Sequence, residues 1–193
     1  LWVGEGFAFG HGRQGTVGYL RQQAEARAFT LNVVPLVDAQ GQRISSTRIR
    51  EALEAGEVAQ AASLLGRPYR LPGIVVRGLQ RGRTIGFPTA NLDVHPDQVI
   101  PGNGVYAAYA LVDGERQPAA VNIGVRPTFD GMSARTVEAH LIDFNGSLYD
   151  RPMALDFIAR LRGEQRFAGI DDLIAQIAAD VTAARRLLVP EAE

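Results

Sequence analysis

Cysteine is absent from this 193-residue chain, and so is lysine. Without cysteine there is no disulfide, no thiolate nucleophile and no cysteine-ligated zinc or iron-sulfur cluster, which fits a reducing compartment. All 20 basic residues are arginine. That excludes a Schiff-base lysine and a Walker-type phosphate loop, which depends on its lysine. An excess of either charge is also missing: 20 basic against 21 acidic residues leave a net charge of -1, and a pI near 6.4 gives no general attraction to nucleic acid. No run approaches the roughly 18 apolar residues of a membrane span, and no basic, then apolar, then small-residue signal opens the chain. Three histidines, scattered at His11, His95 and His140, do not form a zinc site. The chain is therefore read as cytoplasmic, with neither nucleic acid nor membrane among its partners; its oligomeric state is not legible. It opens at Leu1 in what reads as mid-strand, the expectation for a piece of a longer polypeptide.

What is present suits a globular protein: 46% hydrophobic residues and a mean hydropathy of -0.03 allow a sizeable core. A short apolar start and a glycine-dense loop are followed by a helical pattern over 16–27 and an apolar strand over 29–37, an alternation expected of a parallel α/β sheet. Too little of that sheet is present to close it. Ser45 or Ser46 can cap a helix that Gly56 ends, and a second short helix ends at Gly66. The segment 67–73, Arg67-Pro68-Tyr69-Arg70-Leu71-Pro72-Gly73, reads as a linker, and β-type runs replace helices beyond it. Strands are expected over 104–112, 117–123, 136–144 and 153–161, the first two joined by the hairpin signal Asp113-Gly114. In the last of them Leu155, Phe157, Ala159 and Leu161 share a face by alternation. Short strands with turn signals between them suggest a closed antiparallel barrel. A helix over 170–188 carries an apolar stripe, with Asp171 and Asp172 at its start and Arg185 and Arg186 at its end.

One stretch looks made for chemistry. Residues 77–92 space Gly78, Gly82 and Gly86 four apart, set Arg81 and Arg83 among them, and continue through Phe87-Pro88 to Thr89 and Asn91. Glycines let the backbone approach a ligand, and successive N-H groups with neighbouring arginines can cradle phosphate. A turn-rich arginine loop on the surface would have the same composition. Elsewhere, alternation puts Val137, Ala139 and Leu141 on one strand face, and Glu138, His140 and Ile142 on the other. Glu138 is thus a candidate for proton removal or a solvated glutamate on an outer face. His140 can orient a ligand or pair across strands. The segments 121–129 and 161–167, with Asn122, Arg126, Thr128, Arg162, Glu164 and Phe167, read as flaps for a planar ligand or as ordinary loops. Ser45, Ser46, Thr47 and Arg48 at a helix start make a plausible phosphate site or simply a capped helix.

Taken together, Gly82-Arg83-Thr84-Ile85-Gly86-Phe87-Pro88-Thr89-Ala90-Asn91-Leu92, Pro101-Gly102-Asn103-Gly104-Val105-Tyr106, Asn122-Ile123-Gly124-Val125-Arg126-Pro127-Thr128-Phe129, Glu138-Ala139-His140-Leu141-Ile142-Asp143-Phe144 and Leu161-Arg162-Gly163-Glu164-Gln165-Arg166-Phe167 closely resemble riboflavin kinase. More narrowly, the chain resembles the C-terminal module of the bacterial bifunctional riboflavin kinase/FMN adenylyltransferase, or FAD synthetase. The resemblance implies a six-stranded antiparallel Greek-key β-barrel with a packed C-terminal helix over 67–193. Residues 1–66 are then the last part of an α/β, Rossmann-like nucleotidyltransferase segment. It also implies ATP under Gly78, Arg81, Gly82, Arg83, Gly86, Phe87 and Pro88, and Mg²⁺ on Thr89 and Asn91. Riboflavin would bind Asn122, Arg126, Thr128, Arg162, Glu164 and Phe167, with Glu138 as catalytic base. FMN and ADP would be the products. Phe7, Gly12, Arg13, Ser45, Ser46, Thr47 and Arg48 would be what remains of an adenylyltransferase nucleotide site. Gly6 stands where that family usually has Asp, and no His-x-Gly-His occurs, so adenylyl transfer by this chain is expected to be crippled or lost.

Overall fold

In the computed structural model, residues 1–35, 38–39, 42–78, 80–127 and 133–189 are described. They fall into two compact units, Leu1–Ser46 and Thr47–Glu193.

The first unit holds strands β1 (Trp2–Gly4), β2 (Ala8–Phe9) and β3 (Gly15–Thr16), helix α1 (Val17–Arg27), then β4 (Asn32–Val34), β5 (Asp38–Ala39) and β6 (Gln42–Arg43). β1 and β4 pair in parallel, Val3 opposite Val33, with α1 in the connection between them. That is the expected α/β alternation, reduced to one parallel pair. The helix starts where Thr16 accepts a hydrogen bond from the Tyr19 N-H at 3.3 Å, which satisfies one of its free donors. It stops at Ala28 in the left-handed region, φ 52°. The strand expected over 29–37 is shorter, and Leu36 and Val37 lie outside the described residues.

The second unit opens within α2 (Ser46–Glu54), followed by α3 (Val58–Leu65), β7 (Tyr69–Val76), the single turn α4 (Arg81–Thr84), β8 (Ala90–Asp93), β9 (Gly104–Val112), β10 (Glu115–Pro127), β11 (Ser133–Leu141), β12 (Pro152–Arg162) and α5 (Ile170–Leu188). Six of these strands close a barrel in the order β10-β11-β8-β7-β12-β9, and every neighbouring pair is antiparallel. Period-two alternation fills the interior: Leu71, Val75, Tyr106, Ala108, Val121, Ile123, Val137, Ala139, Leu155 and Phe157 share one core cluster. The intervening residues of β9 and β10 are not wasted on water. Ala107 and Ala120 form a second cluster with Ala184 and Leu188 of α5, so the barrel wall is buried on both faces where the helix lies. The Asp113-Gly114 turn has φ of 50° and 86°, the mirror-image turn that suits strand twist.

Two expectations change. The segment read as a linker is the first barrel strand from Tyr69 onward, with Leu71 fully buried. Gly73 is a packing necessity there, because a Cβ would lie 2.3 Å from the Asp93 carbonyl. The helices α2 and α3 pack with the barrel through Leu53, Val58 and Ala61, within the second compact unit. Secondly, the 153–161 alternation breaks after Phe157: β12 shifts register between Phe157 and Ala159, and again between Arg160 and Arg162. These bulges put Ala159 opposite Ala107 and move Leu161 into the α5 cluster.

Candidate functional site

Register builds the centre of the site. Asn122 of β10 stands opposite Glu138 of β11, and Glu138 stands opposite Asn91 of β8. Because Val137 and Ala139 point into the core, Glu138 is held on the outer face of a wall whose backbone cannot shift without opening the barrel. His140, next on that face, lies 2.8 Å through Nδ1 from the Pro88 carbonyl. A carbonyl only accepts, so Nδ1 carries the proton. Its ring meets Phe87 edge-on, with centroids 5.5 Å apart. These contacts fix the Phe87-Pro88 step, and the next residue, Thr89, brings its hydroxyl to 3.5 Å from Glu138 Oε2. That distance is long for a hydrogen bond.

Two clefts meet there. One, of about 410 Å³, runs over the outer wall beneath α5; its lining includes Gly82, Phe87, Thr89, Asn122, Glu138, His140, Arg162, Glu164 and Phe167. The other, of about 470 Å³, lies between the glycine loop and the turn after β11; Gln80, Arg83, Pro88, Thr89, Asn145, Ser147 and Tyr149 line it. Thr89 lines both. Tyr149 also steadies the loop, receiving a hydrogen bond from Gln80 Nε2 at 3.2 Å with the Arg77 guanidinium 5.3 Å from its ring centroid.

The glycines of the loop serve different ends. A Cβ on Gly78 would sit 2.3 Å from the Asn91 carboxamide, and one on Gly82 would sit 2.3 Å from the Phe87 carbonyl. Gly86 meets nothing but has φ +88°, where glycine costs least. Asn91 thus lies under the loop, in register with Glu138, and is not among the residues lining either cleft. Arg81 begins α4, with its side chain outside what is described. The same holds for Arg126 on β10, and Thr128 lies wholly outside the described residues.

Of the residues expected at the planar-ligand flaps, Asn122, Arg162, Glu164 and Phe167 line one cleft with Glu138. Glu164 is held by Asn103 Nδ2 at 3.0 Å, and Arg135 donates to the same Asn103 at 3.2 Å. Arg162 gives Nε and a terminal nitrogen to Asp180, at 3.0 and 2.7 Å, and its other terminal nitrogen to the Gly163 carbonyl at 3.0 Å. Sequence reasoning missed Asp180. A signal existed: it sits three residues after Ile177 and four before Ala184, on the apolar stripe, where a carboxylate needs a partner.

In the first unit, Phe7 stacks on Phe9 with centroids 5.7 Å apart. Gly12 and Arg13 occupy a tight turn with φ of 61° and 58°. Ser45 precedes α2, Ser46 is its first residue, and Thr47 and Arg48 belong to the second unit's first helical turn.

The family model described as riboflavin kinase matches residues 65–188, and one described as FAD synthetase matches residues 1–48. The bifunctional riboflavin kinase/FMN adenylyltransferase of Pseudomonas fluorescens is 43% identical over 192 residues, covering 100% of this chain and 61% of that protein. Its counterpart in Escherichia coli K12 is 44% identical over 186 residues, covering 96% and 59%. The chain therefore spans about three fifths of the length of these curated relatives. A crystal structure titled as a macrolide-efflux protein from Streptococcus pneumoniae matches with a TM-score of 0.84 at 34% identity, over 95% of this chain and 59% of that one. Among the described residues no helix is long and apolar enough to cross a membrane. The stretch matched at 65–188 contains the whole barrel, both clefts and Glu138; the chain belongs to the riboflavin kinase family.

Proposed function

We propose that the chain transfers the γ-phosphate of ATP to the 5′-hydroxyl of riboflavin, giving FMN and ADP, with Glu138 as the base. The observation that carries this reading is the position of Thr89, common to both clefts and 3.5 Å from the Glu138 carboxylate. Two substrates bound side by side would meet at that point. ATP would occupy the cleft under the glycine loop and riboflavin the cleft beneath α5.

Phosphoryl transfer asks mainly for positioning, charge neutralisation and one placed base. The row Asn122, Glu138, Asn91 is fixed by strand register, so the base needs no reorganisation before taking the hydroxyl proton. Loop N-H groups and Arg83 serve as donors to phosphate oxygens where a lysine is lacking. Asn122 and Glu164 hold and orient the acceptor in its cleft.

The Thr89 hydroxyl and the Glu138 carboxylate at the junction are hard oxygens, and Asn91, opposite Glu138 in register beneath the loop, would add a carboxamide oxygen; this set fits Mg²⁺ held partly by substrate phosphates. When bound there, Mg²⁺ would neutralise charge developing on the phosphates. Thr89 and Asn91 would hold it. Residues 67–193 constitute the kinase domain on this reading, and residues 1–66 the last part of an FMN adenylyltransferase domain, in a cytoplasmic protein.

The test is incubation of this chain with riboflavin and MgATP, followed by chromatographic separation of FMN from FAD. FMN without FAD is expected. Flavin binding without any FMN would overturn the kinase reading in favour of a binding module, and FAD among the products would restore adenylyl transfer.

A further inference from the structure

We infer that Asp180 is a positioning residue for the ring of the flavin substrate, acting through Arg162; the inference rests on the placement of riboflavin beneath α5 proposed above.

Asp180 is buried, 6% exposed, on a helix that packs an apolar cluster against the barrel. Its oxygens accept from Arg162 Nε at 3.0 Å, from an Arg162 terminal nitrogen at 2.7 Å and from Gln176 Nε2 at 3.0 Å. A carboxylate has only acceptors, so it suits this ring of donors in a way that a carboxamide cannot. Arg162 is also bound to the Gly163 carbonyl. Its guanidinium plane is therefore set from two sides, and that plane lies 5.8 Å from the centroid of Phe167.

The two ends of α5 are anchored differently. The C-terminal end is packed by Ala184 and Leu188, and Tyr109 donates its hydroxyl to the Leu188 carbonyl at 2.6 Å. Toward the N-terminus, Leu173 and Ile177 are only partly buried and line the cleft. Asp180 lies between, and its tie to Arg162 joins the helix to the last residue of β12 at the cleft wall. The pair fixes the cleft's width and the orientation of two flat groups, Arg162 and Phe167, that a planar fused ring can meet by stacking. Asp180 and the Gly163 carbonyl engage three of the five N–H groups of Arg162, which fixes the plane of the guanidinium. Its work is to present a face, and Asp180 sets that face.

The experiment measures riboflavin binding by quenching of flavin fluorescence, and FMN formation with riboflavin and ATP varied separately, for the whole chain and for Asp180→Asn. The variant puts an amide donor among donors while keeping the side chain's size. Its Kd and KM for riboflavin are expected to rise about tenfold, the loss of one hydrogen bond to a charged group, with KM for ATP and kcat changed less than about twofold. Equal changes in both KM values, or none, would overturn the inference. Should Asp180→Asn not fold, as judged by circular dichroism, Gln176→Ala removes one of the same donors; a rise confined to the riboflavin constants is expected, and an unchanged Kd counts against the inference. Unmodified protein that neither quenches riboflavin fluorescence nor forms FMN brings down the functional reading and this inference together. Normal activity with an indifferent Asp180→Asn brings down the inference alone.

Discussion

The two sides of the site are made by opposite means. On the strand side, Asn122, Glu138 and Asn91 stand in a row imposed by register across three barrel strands, backed by the fully buried Ala139 and the nearly buried Val137. On the loop side, residues 77–88 are shaped by glycines at close approach and tied down by a few contacts, His140 to Pro88 and Gln80 to Tyr149 among them. A base must already be in place when the proton moves, and a barrel wall gives that at no cost in reorganisation. A phosphate cradle must admit and release its ligand, and a loop held at few points can do so. Substitutions on the strand side should therefore act on turnover and those on the loop side on nucleotide affinity.

Glu138→Gln gives the largest effect. It removes the base and keeps the strand, so kcat is expected to fall about 10²- to 10⁴-fold with an unchanged melting temperature and riboflavin affinity. Turnover near the unmodified level would mean that the row orients substrate only. Thr89→Ala comes next, because its hydroxyl sits where the clefts join; the loss of one hydrogen bond to a charged group corresponds to roughly a ten- to hundredfold drop in kcat/KM for ATP. A steeper dependence on magnesium concentration would accompany it. Gly82→Ala sets a Cβ 2.3 Å from the Phe87 carbonyl, and overpacking of this kind costs about 1–3 kcal/mol. It should raise KM for ATP several-fold and lower the melting temperature slightly. Gly86→Ala has room for its Cβ but keeps φ +88°, for a cost of about 1 kcal/mol. If Gly82→Ala proved no worse than Gly86→Ala, conformational freedom rather than close approach would govern the loop.

The smallest effect lies at the end of β11. There Arg185 donates to both oxygens of Asp143, at 2.5 and 2.8 Å, and holds its carboxyl below the ordinary 3.8. A depressed folded-state value means that the pair's contribution is complete above the ordinary value and is lost as pH falls through the lower one. Arg185→Ala should shift the acid limb of a melting-temperature profile toward higher pH and leave kinetics alone. The pair is exposed, so the shift should be slight and should shrink in salt.

How far these regions were legible differs as well. The hairpin at Asp113-Gly114 and helix α5 were readable because their signals are local: a turn that needs positive φ, and a stripe at helical spacing. The row through Asn122, Glu138 and Asn91 was not. Alternation puts Glu138 on the outer face, but which residues stand opposite depends on pairing between strands far apart in sequence. Segment 67–73 misled because Pro72 and Gly73 are turn residues by composition, whereas Gly73 is there to let the Asp93 carbonyl approach. Helices α2 and α3 gave no hint that Leu53, Val58 and Ala61 would pack with the barrel. Thr89 and Glu138 were both singled out by local pattern and given roles by the resemblance; that one hydroxyl would border two clefts could be seen only in three dimensions.

The doubled register shift in β12 has a consequence that concerns counting rather than chemistry. Side chains on a strand alternate, so one extra residue exchanges inside for outside and a second restores the original sense. Between Phe157 and Arg162 the strand takes both steps, which leaves Arg160 opposite Tyr106 and brings Arg162 back opposite Val105, on the wall that faces α5. Deleting either surplus residue would keep every functional side chain in the chain and still turn Arg162 away from Asp180. For this strand, length is as much a part of the site as composition.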